Sequence, residues 1–441
     1  MNIAILHYHL NRGGVTQVVM NHLRSLESVC ASGEETRIAL IYGGRRAGLP
    51  EDLLGQFSSL DVSLATVDGL EYDEGEEPDP HRLAGDLRRT LDELGFSSDS
   101  TVLHVHNHSL GKNLSLPETL LSLTQDGYRM LLHIHDFAED FRPENYGRMM
   151  RSLIPRAAVD LPSLLYPQAK QIHYAALNRR DLNVLQQSGL DKQRLHFLPN
   201  PVAEFGELPA KDDARRTLFE KFDVPLDDCY ILYPVRGIRR KNLGEAVLWS
   251  VIAGPRTTVG FTLAPLNPLE RRSYDQWKRF AHSIGLPCVF ETGAEMGMPF
   301  LENLAAADLI LTTSVAEGFG LVFLESWLAG KRLVGRDLPE ITADFVANGV
   351  CLDGLRSRVS IPIDWLGVDK IFRVLREAFF TAREAYSLPP VSDEQFSREF
   401  RDLVADEAID FACLNSDMQR KVIRMARDSE QQRDELRVLN P

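Results

Sequence analysis

Cysteine is scarce in this chain. Cys30, Cys229, Cys288, Cys351 and Cys413 are the five in 441 residues, an odd total with no CxxC pair. That excludes a disulfide framework and a cysteine-based zinc site, and it fits a reducing compartment. Positive charge is in deficit as well, with 49 Lys and Arg against 63 Asp and Glu and a formal net charge of −14. Duplex binding rests on neutralising phosphates with basic side chains, so no nucleic-acid partner is expected. The same balance weakens the case for docking on anionic lipid. No apolar run approaches the ~20 residues of a spanning helix, so no integral membrane association is expected. The opening Met-Asn-Ile-Ala-Ile-Leu-His-Tyr carries no basic leader, and the expected location is cytoplasmic. Three catalytic signatures are missing: GxSxG, a Walker A loop (Gly111-Lys112 has no upstream glycine) and a DxD that would bring a metal to a sugar nucleotide.

What is present suits a globular protein, with 44% hydrophobic and 25% charged residues. The length allows two or three domains. Short apolar runs predict strands over residues 3–7, 37–42, 101–106, 130–135, 171–175 and 195–198. A second series covers 230–235, 258–263, 288–291, 309–313 and 332–335. Helical periodicity fills the gaps, as at 15–26, 243–252 and 321–328. This alternation predicts the α/β class, with parallel sheets buried on both faces by helices.

Two series predict two doubly wound, Rossmann-like domains facing across a cleft. The break falls at Leu198-Pro199-Asn200-Pro201-Val202, where two prolines interrupt any helix or central strand. The expected partition is 1–200, 201–390, and a helical tail 391–441 packing back across the junction. Ligands of doubly wound sheets bind at the carboxyl ends of the strands, which makes the cleft the expected site. The acidic stretch 68–79 reads as a solvated insertion without assigned function.

Four segments carry chemistry. Glu317-Gly318-Phe319-Gly320-Leu321-Val322-Phe323-Leu324-Glu325 follows a predicted strand and opens a helix. The amides of Gly320 and Leu321 at that helix start form an anion site. Gly318 and Gly320 let backbone approach a ligand closely. Glu325, one turn or so into the helix, can accept from vicinal hydroxyls, and Glu317 sits on the turn itself, facing the phosphate end. Read without function, the segment is a βα turn with two surface glutamates. Val235-Arg236-Gly237-Ile238-Arg239-Arg240-Lys241-Asn242 ends the first strand of the second series. Arg236 and Lys241 there suit a diphosphate leaving group, whose charge grows as the bond breaks; the alternative is a solvated basic loop. Asn11-Arg12-Gly13-Gly14 follows the first strand, and its adjacent glycines permit positive φ and close approach to an acceptor or phosphate. Histidines form the fourth group: His104, His106 and His108 alternate at one strand end, and His133-Ile134-His135-Asp136 ends the next. Two HxH units on neighbouring strands have the makings of a metal site, although no further ligand spacing appears downstream.

Together these residues resemble the retaining glycosyltransferases of the GT-B fold, particularly glycosyltransferase family 4. Glu317 and Glu325 match its Glu-x7-Glu signature, Arg236 and Lys241 its Arg/Lys pair, and Gly13-Gly14 its N-terminal glycine loop. His135-Asp136 matches the first-domain histidine segment, Asn200-Pro201-Val202 the hinge, and Leu338-Pro339-Glu340-Ile341 the proline–glutamate segment. Trp327, Lys331 and the arginine-rich Arg239-Arg240 depart from the usual pattern.

The resemblance implies that Arg236 and Lys241 grip the donor diphosphate, helped by Gly318, Phe319, Gly320 and Leu321. Glu325 would bind the ribose and Glu317 would lie by the transferred sugar. His135 would contact that sugar, and Arg12, Gly13 and Gly14 would flank phosphate and acceptor. It implies hexose transfer from a UDP- or GDP-sugar with retained configuration, no required cofactor and no metal ligand. The acceptor is expected to be small and soluble; Arg12, Lys112 and Arg142 near first-domain strand ends suit an anionic one. Two rival readings stand: a metal-dependent hydrolase using His104, His106, His133 and His135, and a non-catalytic nucleotide-sugar binder. The oligomeric state is left open.

Overall fold

The computed structural model describes residues 2–30, 36–73, 75, 77–155 and 159–441. Glu74 and Glu76 of the acidic stretch lie outside the described residues. The chain divides into two units, Met1–Ala203 with Glu384–Leu388, and Glu204–Arg383 with Pro389–Pro441. Residues 391–441 thus fold with the second unit.

The first unit holds seven parallel strands: β1 (Asn2–His7), β2 (Thr36–Tyr42), β3 (Leu60–Thr66), β4 (Thr101–His106), β5 (Arg129–Ile134), β6 (Ile172–Ala176) and β7 (Leu195–Phe197). Their order is β3-β2-β1-β4-β5-β6-β7. Period-two alternation along β1 separates two cores. Ala4, Leu6 and Tyr8 pack with Leu83, Leu87 and Phe96 on one side, while Ile5 packs with Val19, Leu23 and Ile38 on the other. Helices therefore cover both faces, as the near-continuous apolar strands require.

The second unit repeats the plan with β8 (Cys229–Arg236), β9 (Thr257–Leu263), β10 (Cys288–Phe290), β11 (Leu309–Thr312), β12 (Arg332–Arg336) and β13 (Leu355–Arg356). The order is β10-β9-β8-β11-β12-β13, all parallel. A small antiparallel pair, β14 (Ser360–Pro362) and β15 (Ala408–Asp410), ties the C-terminal segment to this unit. Both large sheets have the doubly wound order, reversing beside the first strand of each. The reversals lie between β1 and β4, and between β8 and β11. No described helix is long and apolar enough to cross a membrane.

Candidate functional site

The residues of the second unit gather at its reversal point. β8 delivers Arg236, and a tight turn Arg239–Lys241 leads into helix Leu243–Ile252. β11 delivers Thr313 and Ser314, then the Glu317–Gly320 turn and helix Leu321–Leu328. The two loops are bonded to each other: Val315 N donates to Arg240 O at 2.9 Å. Thr313 Oγ1 donates to Lys241 O at 2.8 Å, and the Tyr233 hydroxyl donates to the same carbonyl at 2.5 Å. With its backbone fixed in this way, Lys241 pairs its ammonium with the Glu317 carboxylate, both largely buried. Ser314 Oγ adds a hydrogen bond to Glu317 at 2.7 Å.

Gly320 caps helix Leu321–Leu328 in the left-handed region, φ +81°. A Cβ there would run into the Phe323 ring, so glycine is needed for both conformation and space. The first N–H groups of that helix have no intrahelical acceptor and carry the positive end of its dipole. Glu325, half-buried on the same helix, has its pKa raised by burial, with Lys241 opposing. Burial also lowers the pKa of the Arg236 guanidinium. Phe319 is buried and stacks edge-on against Phe345, 5.1 Å between centroids, so its side chain is a packing group.

The residues that depart from the family pattern have local explanations. Lys331 donates to the carbonyls of Ala305 and Ala307, closing helix Phe300–Ala306, and Trp327 is exposed. Arg239 contributes its backbone N–H to Glu270. Pro339 opens helix Pro339–Ala347 at a position where its missing N–H costs nothing.

In the first unit the glycine pair leaves its conformational freedom unused. Neither Gly13 nor Gly14 adopts positive φ. Gly14 is the first residue of helix Gly14–Cys30, and a Cβ on it would meet nothing within 4 Å. A close approach of backbone to backbone occurs at Gly48, where a Cβ would lie 2.6 Å from the backbone of Asn11 and Arg12. Asn11 holds the loop further, its carbonyl accepting from Thr16 Oγ1 at 2.6 Å and its side chain from Ala47 N at 3.2 Å.

His135 follows β5, its N–H donating to Asn107 Oδ1 at 2.8 Å; Asn107 itself has φ +57°. Burial holds the His135 imidazole well below its ordinary pKa, so it is neutral. Its neighbour Asp136 pairs with Arg142 at 2.9 Å. Lys112 lies over the Tyr72 ring, and its pKa is lowered by burial and by Arg142 and Arg148 nearby. Arg45 and Glu71, a pair that spacing gave no reason to connect, flank the same tyrosine.

Register places His106 directly beside His133, so His104, His106 and His133 share one face of β4 and β5. His108 does not continue that row. β4 ends at His106, and His108 turns to the Leu165 carbonyl at 2.7 Å. The fourth member of the cluster is His22, whose position on helix Gly14–Cys30 no strand pattern could reveal.

No family model matches the chain. It is 30% identical over 355 residues to the mannosylglucosyl-3-phosphoglycerate synthase of Petrotoga mobilis, an alignment covering 78% of this chain and 66% of the relative, just under two thirds of its length. Among solved structures it superposes on the sucrose-phosphate synthase of Thermosynechococcus elongatus with TM-score 0.52, 15% identity and 98% of both chains covered. It also superposes on WaaG, a glycosyltransferase of lipopolysaccharide biosynthesis, with TM-score 0.50, 14% identity and 100% of both chains covered. Anabaena HepE, solved with UDP-glucose, matches with TM-score 0.50 at 15% identity over 76% of this chain and 80% of its own. The chain has the GT-B fold and resembles glycosyltransferase family 4.

Proposed function

We propose that the protein is a retaining glycosyltransferase moving a hexose from a UDP- or GDP-sugar to a hydroxyl of a small anionic acceptor. The observation that carries this reading is the meeting of Lys241 with Glu317 where the sheet order reverses, beside Arg236 and the start of helix Leu321–Leu328. Arg236, Lys241 and the first amides of that helix would hold the diphosphate. Glu325 would accept from the ribose hydroxyls, and Glu317 and His135 would contact the hexose.

In the reaction, the acceptor oxygen bonds to the anomeric carbon on the face from which the diphosphate departs. The bond from that carbon to the phosphate oxygen breaks, and a departing phosphate oxygen takes the acceptor proton. Charge grows on the diphosphate as the bond lengthens, where preorganised cations and amides stabilise it most. A neutral His135 can hydrogen-bond the sugar without adding positive charge beside a developing oxocarbenium. No step calls for a cofactor or a metal.

An anionic acceptor, such as a sugar phosphate or glycerate, is supported by the Lys112, Arg142 and Arg148 grouping. The phosphoglycerate in the name of the Petrotoga relative points the same way. Replacing Arg12 or Lys112 by alanine is expected to raise KM for a phosphorylated acceptor about tenfold, equivalent to ~1.4 kcal/mol, with donor KM unchanged. Activity confined to neutral sugars, and indifferent to both variants, would remove the anionic acceptor.

Calorimetric titration with UDP, GDP and ADP in EDTA tests the donor site, and one nucleotide is expected to bind without metal. The anomeric configuration of the product, read by NMR, then tests retention. Failure of all three nucleotides to bind would overturn the donor site, and an inverted product the front-face mechanism. The rival metal hydrolase needs a coordination position open to water and substrate. The histidine cluster is buried, and among the described residues its members are imidazoles alone, with no carboxylate to act as base.

A further inference from the structure

The sheet face that carries His104, His106 and His133 meets His22 of helix Gly14–Cys30. One ring nitrogen from each of the four lies within 4.8 Å of the other three. The four side chains are 8%, 1%, 0% and 9% exposed in that order. Central parallel strands normally fill such positions with Val, Ile or Leu, and buried polar atoms normally find partners. Here several do not: among the described residues neither ring nitrogen of His22 has a hydrogen-bond partner, nor does Nε2 of His106 or of His133. His104 Nε2 and His133 Nδ1 face each other at 3.1 Å. An apolar cluster would serve packing better, so the arrangement calls for a ligand.

We propose that His22, His104, His106 and His133 bind a divalent transition-metal ion of the zinc class in a closed, structural site. Neutral imidazole is a borderline donor suited to zinc and its neighbours. Four nitrogens complete a tetrahedral set, as structural sites require. Tetrahedral ligation at ~2.0–2.1 Å separates the nitrogens by about 3.3 Å, against the 4.8 Å within which the four lie here, so an ion would draw them together. The ligands come from one helix and two adjacent strands, so the ion joins helix Gly14–Cys30 to the sheet.

The site also reaches His135. His106 Nδ1 lies 2.8 Å from His135 Nε2. With His106 Nε2 on the ion, its Nδ1 carries the hydrogen and donates to His135, fixing the tautomer of that ring. The proposal does not depend on the sugar-transfer reading, since the four residues lie apart from the donor residues in sequence and unit.

The test is metal content. The full chain, freed of any polyhistidine tag, is incubated with excess Zn2+, washed with EDTA, passed over gel filtration and assayed by plasma mass spectrometry. About one zinc per chain is expected, falling to background in His22→Leu and His106→Gln. Co2+ in place of zinc is expected to give the visible absorption of a tetrahedral site. His22→Leu also separates a metal role from packing: with a metal site its Tm falls below that of the zinc-loaded protein. A simple packing cluster would keep or raise its Tm. Background zinc in the wild-type protein would overturn the proposal, as would stoichiometric zinc retained by both variants.

Discussion

Replacing Lys241 by alanine is expected to lower kcat about 10²- to 10³-fold, or ~3–4 kcal/mol of barrier, if it serves as a donor to the leaving diphosphate. The fold is expected to survive, because what positions the turn is the Lys241 carbonyl. Tyr233 and Thr313 donate to that carbonyl whatever side chain follows it. Glu317 loses its cation but keeps the Ser314 hydroxyl. Leaving the buried Glu317 without its cation is expected to lower Tm, so steady-state kinetics well below the Tm of the variant isolate chemistry from folding. Near-normal turnover would count heavily against the donor site.

Glu325→Ala supplies a second, separable readout, since its proposed contact is with the ribose in both ground and transition states. Nucleotide affinity should fall along with rate. In the wild-type protein, burial raises the Glu325 pKa. Donor affinity should accordingly weaken on acidification through a range above that of an ordinary glutamate, and this dependence should vanish in Glu325→Ala.

The donor segment was legible in sequence because its chemistry is local. Glu317, Gly320 and Glu325 lie within nine residues, and the helix they open is the expected 321–328. Strand–helix alternation likewise exposed eleven of the strands, because runs buried on both faces are apolar throughout. It missed β3, an edge strand whose Leu-Asp-Val-Ser-Leu-Ala-Thr mixes polar and apolar residues, and the two- and three-residue strands β13, β14 and β15, too short to show a period. Gly13-Gly14 does not use the positive φ that its glycines permit, and the contacts of Gly48 and Ala47 with that loop, some 35 residues away in sequence, left no mark in its pattern. The same distance hid His22 behind a helical pattern that registers it only as one polar residue. What periodicity cannot supply is which faces meet, and both the histidine cluster and the Arg336 network depend on that.

Replacing Arg336 by methionine is expected to cost about 3–5 kcal/mol of stability, the usual penalty for breaking a buried ion pair from one side. Arg336, at the end of β12, makes bonds of 2.5 Å to Glu245 and 2.7 Å to Asp410, its side chain 5% exposed and that of Glu245 fully buried. Methionine would leave the buried Glu245 carboxylate and the partly exposed Asp410 carboxylate without their cation. Burial already pushes Glu245 up to about 7 with the guanidinium opposing it, and removing the cation raises it further. A carboxyl whose folded pKa exceeds its unfolded one favours the folded state below the unfolded value. That contribution is lost as pH rises through the folded value. The deficit of Arg336→Met relative to wild type should therefore be smallest below about pH 7, where Glu245 is protonated in both folded proteins, and grow as pH rises above it. Denaturant midpoints across that range measure it. Arg336→Met combined with Glu245→Leu should recover much of the loss, since no buried charge remains on that side.

The network also bears on the donor loop. Glu245 accepts from Asn242 Nδ2 at 2.7 Å, and Gln419 Nε2 donates to Asn242 Oδ1 at 3.2 Å. Asn242 closes the Arg239–Lys241 turn in the left-handed region, φ +50°, a conformation that costs a non-glycine residue about 1–2 kcal/mol and persists only where its surroundings enforce it. Removing Glu245 takes away one of those two clamps, and protonating it weakens that clamp, since a neutral carboxyl accepts less strongly. Arg336→Met should then weaken nucleotide binding as well as stability, and the double variant should regain stability without regaining affinity. Recovery of both together would mean that the turn holds its shape without Glu245.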